Sequence, residues 1–305
     1  MSVANAYIAL SGAIDGEVRR DVRMARHTTM HVGGPAALLV CVNTLEALRR
    51  TLDVLARESV SWCVLGKGSN VLVSDDGYDG CVIQLGREFR RVVVRDDEPT
   101  IICGAAVATA AVVSAALKHG LSGIECCAGI PGTIGGAISM NAGSRREWIG
   151  AVVDSLVCLR PGEGVVRYRG SDINWAYRST SLAPDEIVLE ATLTLRPSTR
   201  EEVAHDMDAR LAQRRRTQPC GLASCGSVWR NPKEGSVGKM IDDCGLKGTV
   251  SGGASISDLH ANFIVNRGQA SAADVMDLMR QSFAAVREAY GVELEPEVKF
   301  LGFSR

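Results

Sequence analysis

The sequence has no apolar run long enough to cross a bilayer. Its longest mainly apolar stretch, residues 102–117, is shorter than the ~20 residues a spanning helix needs. It is built largely of alanine, with Thr109 and Ser114 inside it, so it reads as a packed helix and membrane insertion is not expected. The first twenty residues lack a basic stretch ahead of an apolar one, so no secretory signal is legible and export is not expected. An excess of one charge is missing as well. Lys+Arg number 34 and Asp+Glu 35, a net charge of −1, which leaves no general field to collect nucleic acid or an anionic surface. Any anion site must be local. The basic cluster Arg214-Arg215-Arg216 has no aromatic neighbours on which bases could stack, so no nucleic-acid partner is expected. Histidine is scarce at five residues, and Cys220 and Cys225 have no second Cys or His pair at zinc spacing, so no metal is expected.

What is present is the composition of an ordinary globular protein, 46% hydrophobic and 23% charged, without repeats or low-complexity linkers. Its 305 residues suggest about two domains, or three small ones. Ten cysteines sit mostly in apolar stretches such as Val40-Cys41-Val42 and Trp62-Cys63-Val64, as small hydrophobes in a reducing cytoplasm. The pair Cys126-Cys127 reads as packing. Strands are expected at 38–42, 62–65, 71–73, 81–85, 91–95, 100–103, 152–159, 165–168 and 187–195. Thr44 opens a helix with Leu45, Leu48, Leu52 and Leu55 on one face, giving a β-α-β unit. A second helix runs from about Val107 to His119 and stops at Gly120. A third opens on the capping pair Thr199 and Glu202 and ends in the basic run at 214–216. A last one is capped by Ser271 and Asp274 and stopped by Gly291. A domain boundary is placed just before or within 218–226.

Glycine is the one component in excess, 32 of 305 residues against a usual ~7%. The loop Gly66-Lys67-Gly68-Ser69-Asn70 joins a strand to the strand containing Val71 and Leu72. Its glycines can turn successive N–H groups inward around an anion, with Lys67, Ser69 and Asn70 adding donors. It is neither a P-loop nor a Rossmann turn. A second dense stretch holds Gly129, Pro131, Gly132, Thr133, Gly135 and Gly136 and continues to Asn141 and Gly143, letting backbone approach a flat or pyrophosphate-bearing ligand closely. With His31-Val32-Gly33-Gly34 added, the glycine loops lean toward a dinucleotide. Three polar clusters stand in apolar surroundings, around Arg178, Ser227 and Glu297. Arginine offers a fixed positive fork, serine a transferable proton and glutamate a tunable acid or base, a set able to protonate a carbanion. Each also has an ordinary reading: Arg178 as a surface ion pair, Ser227 as a turn residue, Glu297 as a solvated strand residue.

Taken in order, these segments resemble the UDP-N-acetylenolpyruvoylglucosamine reductases of bacterial peptidoglycan synthesis. The resemblance runs from Thr28 through nearly the whole chain. It rests on Thr28 to Ala36, Gly66 to Asn70, Gly129 to Gly136, Tyr177-Arg178, Gly226-Ser227 with Asn231-Pro232, His260-Ala261-Asn262-Phe263, and Leu294 to Val298. It implies an α+β fold: a vanillyl-alcohol-oxidase-type FAD-binding domain of two subdomains, 1–80 and 81–217, and a C-terminal α+β substrate-binding domain, 218–298, with 299–305 free to return to the first subdomain. It implies tightly but non-covalently bound FAD and NADPH as co-substrate. The reaction implied is reduction of the enolpyruvyl double bond of UDP-N-acetylglucosamine enolpyruvate to UDP-N-acetylmuramate. By family position Arg178 and Glu297 stabilise the intermediate and Ser227 delivers the proton. Residues 66–72, with Gly129, Pro131, Gly132, Thr133, Gly135, Gly136 and Asn141, would hold the cofactor, and Arg215, Asn231 and Asn262 the substrate.

Trp175 and Trp229 depart from the phenylalanine more usual in the family, and Arg230 from a lysine. The chain also resembles the shorter subclass lacking an extra tyrosine-bearing loop. A cytoplasmic monomer acting on small molecules is expected. The alternatives are another FAD oxidoreductase of the same fold, acting on an alcohol or sugar, and a nucleotide-binding module without catalysis.

Overall fold

Apolar periodicity becomes structure most directly in the helix Leu45–Arg57. Thr44 caps it, its hydroxyl accepting from the Ala47 N–H at 3.1 Å, and Leu48, Leu52 and Leu55 are buried on one face. A buried leucine stabilises by roughly 1.5–3 kcal/mol, so this stripe alone fixes which side of the helix turns inward. We describe the chain from a computed structural model covering residues 2–144 and 146–303. Met1, Arg145, Ser304 and Arg305 lie outside the described residues, and with them the last two positions of the expected C-terminal return.

The chain divides into two compact units, one of residues 1–19, 38–66 and 81–213, the other of residues 20–37, 67–80 and 214–305. In the first, the central element is a five-stranded antiparallel sheet ordered Gly164–Arg169, Val153–Arg160, Ile187–Thr194, Thr100–Gly104, Val92–Val94. Leu156, Cys158, Ala191, Leu193, Ile101 and Cys103 are buried along it. The alternation of apolar and polar residues in these strands is what a sheet with one covered face requires. The helix Thr109–Lys118, closed as expected near Gly120 in the left-handed region (φ 62°), covers part of that core. The short helix Ile134–Ser139 packs against strand Ile187–Thr194. The expected β-α-β unit carries an insertion: strand Tyr78–Leu85 lies between Pro35–Val42 and Trp62–Val64, parallel to the latter with Cys63 opposite Val82.

In the second unit, strands Ala223–Ser227, Phe263–Asn266, Ala254–Ile256 and Val250–Ser251 form an antiparallel sheet in that order. Helix Ala272–Tyr290 lies on it. The capping box of Ser271 and Asp274 is formed in full, and Gly291 ends the helix at φ 66°. Backbone N–H bonds hold the Asp274 carboxyl below the usual carboxylate range. Strand Lys299–Leu301 pairs in parallel with Val71–Val73, so the end of the chain returns to the segment that follows the first glycine loop. The core here is built from Leu72, Val228, Trp229, Ile241, Leu278 and Met279.

The cysteines behave as small hydrophobes. Six are buried, and burial pushes the Cys225 thiol up to about 12, which makes it a poor nucleophile. Among the described residues no helix is long and apolar enough to cross a membrane.

Candidate active site

In the first unit the second glycine loop runs from Ala128 into the helix Ile134–Ser139. Gly129 and Gly132 sit at φ 73° and 128°, conformations that side-chained residues rarely adopt. The loop is pinned from behind, with Ile134 N donating to Val107 O and Gly135 N to Ala105 O, both at 2.9 Å. Among the described residues, the N–H groups of Gly132, Thr133 and Gly136 have no protein acceptor, which leaves adjacent donors for an anion. Thr109, whose N–H donates to Gly132 O, buries a hydroxyl with no hydrogen-bond partner. Gly66 closes against the same loop: a Cβ there would stand 2.4 Å from Thr133 Oγ1. Donors without acceptors and a wall where no side chain fits together suit a phosphate-bearing cofactor lying on backbone. Gly129 and Pro131 are exposed at the loop's outer edge.

Arg178 lies in the same unit, in a two-residue turn between the paired strands Trp175–Ala176 and Ser179–Thr180. Its backbone is left-handed (φ 57°), its guanidinium donates to Gly143 O at 2.8 Å, and its Cζ sits 5.3 Å from the Tyr177 ring centre. Asn141 was expected against the cofactor. Its side chain also bonds within the protein, donating to Ala176 O at 2.9 Å and accepting from Gly150 N at 3.1 Å.

In the second unit Gly68 (φ 62°) lies so close to residues 27–28 that a Cβ would stand 2.4 Å from His27 O. Thr29 ties this loop to the sheet, its N–H donating to Gly68 O and its hydroxyl to Ser224 O at 2.7 Å. Among the described residues, the N–H groups of Lys67, Gly68 and Asn70 have no protein acceptor. Lys67 is exposed and Ser69 half-buried. Asn70 has a second use, because its Nδ2 donates to Glu297 O at 3.1 Å. Val71 and Leu72 belong to the strand that pairs with Lys299–Leu301, and the Leu72 side chain is fully buried in the core.

Ser227 is re-aimed by a bulge. Ser224 stands opposite Val265 and Ser227 opposite Phe263, so three steps on one strand match two on the other. Gly226 takes up the extra residue at φ 77°. Immediately beyond, Val228 O accepts from Glu297 N at 2.9 Å, which sets Glu297 beside the serine segment. Glu297 is 9% exposed, so the solvated-strand reading does not hold. Asn262, expected against substrate, is 2% exposed and clamps Trp229 from both sides, accepting from its N–H at 3.0 Å and donating to its carbonyl at 2.8 Å. Asn231 Oδ1 accepts from Val237 N at 2.9 Å at the start of helix Val237–Asp243. Arg215 is exposed in the last turn of helix Arg200–Thr217. Burial holds the His260 imidazole below its ordinary range, its Nδ1 accepting from Asn262 N.

Gly143, Thr109 and Thr29 were not singled out from the sequence for these contacts. Their partners are distant in the chain or are backbone groups, which no local pattern encodes.

The family model for the C-terminal domain of UDP-N-acetylenolpyruvoylglucosamine reductase matches residues 218–301, and that for an FAD-binding domain matches residues 36–161. The UDP-N-acetylenolpyruvoylglucosamine reductase of Bacillus pumilus is 37% identical over 94% of this chain and 95% of its own length. That of Geobacter metallireducens is 37% identical over 97% and 98%. The crystal structure of the enzyme from Thermus caldophilus superposes with a TM-score of 0.82 at 36% identity, covering 94% of this chain and 99% of that one. The α+β fold with a vanillyl-alcohol-oxidase-type FAD-binding domain, expected from the motifs, is the fold of the chain.

Proposed function

The chain belongs to the UDP-N-acetylenolpyruvoylglucosamine reductase family, and we propose that it reduces the double bond of UDP-N-acetylglucosamine enolpyruvate to give UDP-N-acetylmuramate, with NADPH as hydride source. It is a flavoprotein oxidoreductase of peptidoglycan synthesis, with FAD as its cofactor. Bound FAD would supply the hydride-transfer chemistry of the reaction.

The residues of the chain do the rest. The N–H groups of Gly132, Thr133 and Gly136 and those of Lys67, Gly68 and Asn70 would hold the cofactor's phosphates. Arg178 and Glu297 polarise the substrate carboxylate and stabilise the negative charge that hydride addition leaves on the adjacent carbon. Ser227 gives its proton to that carbon, which completes addition of one hydride and one proton across the bond. A serine hydroxyl is a weak acid, but the carbanion is a strong base and the charged neighbours stabilise the alkoxide as it forms. Asn231 and Arg215 contribute to holding the UDP portion. Asn262 acts through Trp229, keeping the serine segment in register.

The observation that supports this assignment best is the glycine bulge that sets Ser227 next to the segment bonded to buried Glu297. The test is an anaerobic absorbance titration with NADPH and then the enolpyruvyl sugar. Bleaching of the flavin bands followed by return of colour on sugar addition is expected, and recovery only with oxygen would overturn the assigned substrate. Ser227→Ala should leave bleaching intact and slow the return of colour by about 100-fold or more. An unchanged return would remove serine as the proton donor.

A further inference from the structure

Asn141 spends both ends of its amide on the protein, and both bonds bear on the segment that presents Arg178. The hairpin holding Arg178 has only two paired residues on each side, Trp175 opposite Thr180 and Ala176 opposite Ser179. A ribbon that short has no stability of its own. Its turn also places a side-chained residue, Arg178, in the left-handed region, a conformation that persists only where surrounding contacts over-determine it.

Several of those contacts come from Asn141, Gly143 and Gly150. Asn141 Nδ2 donates to Ala176 O, at the root of the turn, and Gly143 O accepts from the Arg178 guanidinium at its tip. Asn141 Oδ1 fixes Gly150 N, and Gly150 is the floor on which Trp175 rests: a Cβ there would stand 2.4 Å from the indole ring. The indole in turn donates from Nε1 to Gly170 O at 2.9 Å. Asn141 is 3% exposed and follows the glycine-loop helix Ile134–Ser139 by two residues. We propose that Asn141 is a positioning residue for Arg178, coupling the end of the cofactor loop to the hairpin that aims the guanidinium. The amide supplies one donor and one acceptor at this spot; a carboxylate keeps the bond to Gly150 N and turns a second acceptor on Ala176 O.

This inference rests on the role proposed above for Arg178, and the experiment separates the two. Asn141→Ala, Asn141→Asp, Arg178→Ala and the double variant Asn141→Ala/Arg178→Ala are each prepared as FAD-loaded enzyme. Flavin reduction by NADPH and flavin reoxidation by the enolpyruvyl sugar are then followed in separate stopped-flow traces. Misplacement of a catalytic group by about 1 Å costs about 100-fold. Asn141→Ala and Asn141→Asp should therefore slow reoxidation on that order, with reduction within about twofold of the parent. In the Arg178→Ala background the loss of Asn141 should add less than about twofold, since a positioning residue has nothing left to position. If Asn141→Ala does not fold, Asn141→Asp, which retains the Gly150 bond, carries the comparison against Arg178→Ala. Losses that multiply in the double variant, equal slowing of both half-reactions, or release of FAD would each overturn the proposal. If Arg178→Ala alone reoxidises at the parent rate, the role given to Arg178 is wrong and this inference falls with it.

Discussion

Replacing Asn262 by alanine should destabilise the second unit more than any surface change and should also slow the reaction. Asn262 makes the hydrogen bonds to both main-chain groups of Trp229, at 3.0 and 2.8 Å, and both residues are at most 5% exposed. Alanine leaves a buried N–H and a buried C=O without partners. Each such group costs about 1–3 kcal/mol. Water entering the vacated space recovers part of the loss, so about 3 kcal/mol is expected for the pair. For a unit of slightly more than a hundred residues that lowers the melting temperature by about 10 °C. Urea unfolding followed by circular dichroism measures the free energy, and the temperature shift gives an independent reading. Asn262→Asp sharpens the test. It keeps an acceptor for the Trp229 N–H but sets a carboxylate against the Trp229 carbonyl, so it should be at least as damaging at neutral pH. Burial and that carbonyl raise the new carboxyl's folded pKa, so stability should recover as pH falls and the protonated acid can donate. A loss within about 0.5 kcal/mol for Asn262→Ala, the range of an ordinary surface change, would refute the clamp.

Three further outcomes follow from the same geometry. Gly226→Ala meets no atom within 4 Å of the new Cβ but must hold φ 77°, so a strain of about 1–2 kcal/mol and a lower kcat with FAD still bound are expected; kcat unchanged would mean that the bulge does not aim Ser227. Gly66→Ala puts a Cβ 2.4 Å from Thr133 Oγ1 and should weaken FAD retention on dialysis by at least about tenfold, read from the flavin absorbance per chain, and full retention would contradict the close fit. His260 is held below its ordinary range by burial, so the unfolded chain takes up its proton first as pH falls and stability drops below about pH 6.5. His260→Asn, which can still accept from Asn262 N, should flatten that part of the stability profile, and an equally steep drop in the variant would assign it to other groups.

Much of the fold was legible because its signals are local. The stripe of leucines in Leu45–Arg57, the box of Ser271 and Asp274 and the stop at Gly291 each lie within one or two helical turns, and each forms as read. The helix Ile134–Ser139 escaped for the opposite reason, since two glycines in six residues lower its intrinsic propensity and tertiary contacts, packing on strand Ile187–Thr194 among them, stabilise it. The division of the chain was not legible either, because segments 20–37 and 67–80 join residues that follow them by more than a hundred positions. No shift of composition marks such a crossing.

The two asparagines show where residue type stops carrying information. Asn141 and Asn262 were expected to touch the cofactor and the substrate, the reading an exposed amide would invite. Both are buried, and their partners lie 35 and 33 residues away in Ala176 and Trp229. An amide has one donor end and one acceptor end, which matches a peptide group as well as it matches a nucleotide, so the sequence leaves the two uses indistinguishable. Burial points to the use against peptide groups: each amide is bonded to backbone at both ends at 2.8–3.1 Å, and Asn141 and Asn262 are only 3% and 2% exposed. The chemistry therefore depends on these residues through the backbone they hold, and their loss should be felt in the rate of proton delivery before it is felt in binding.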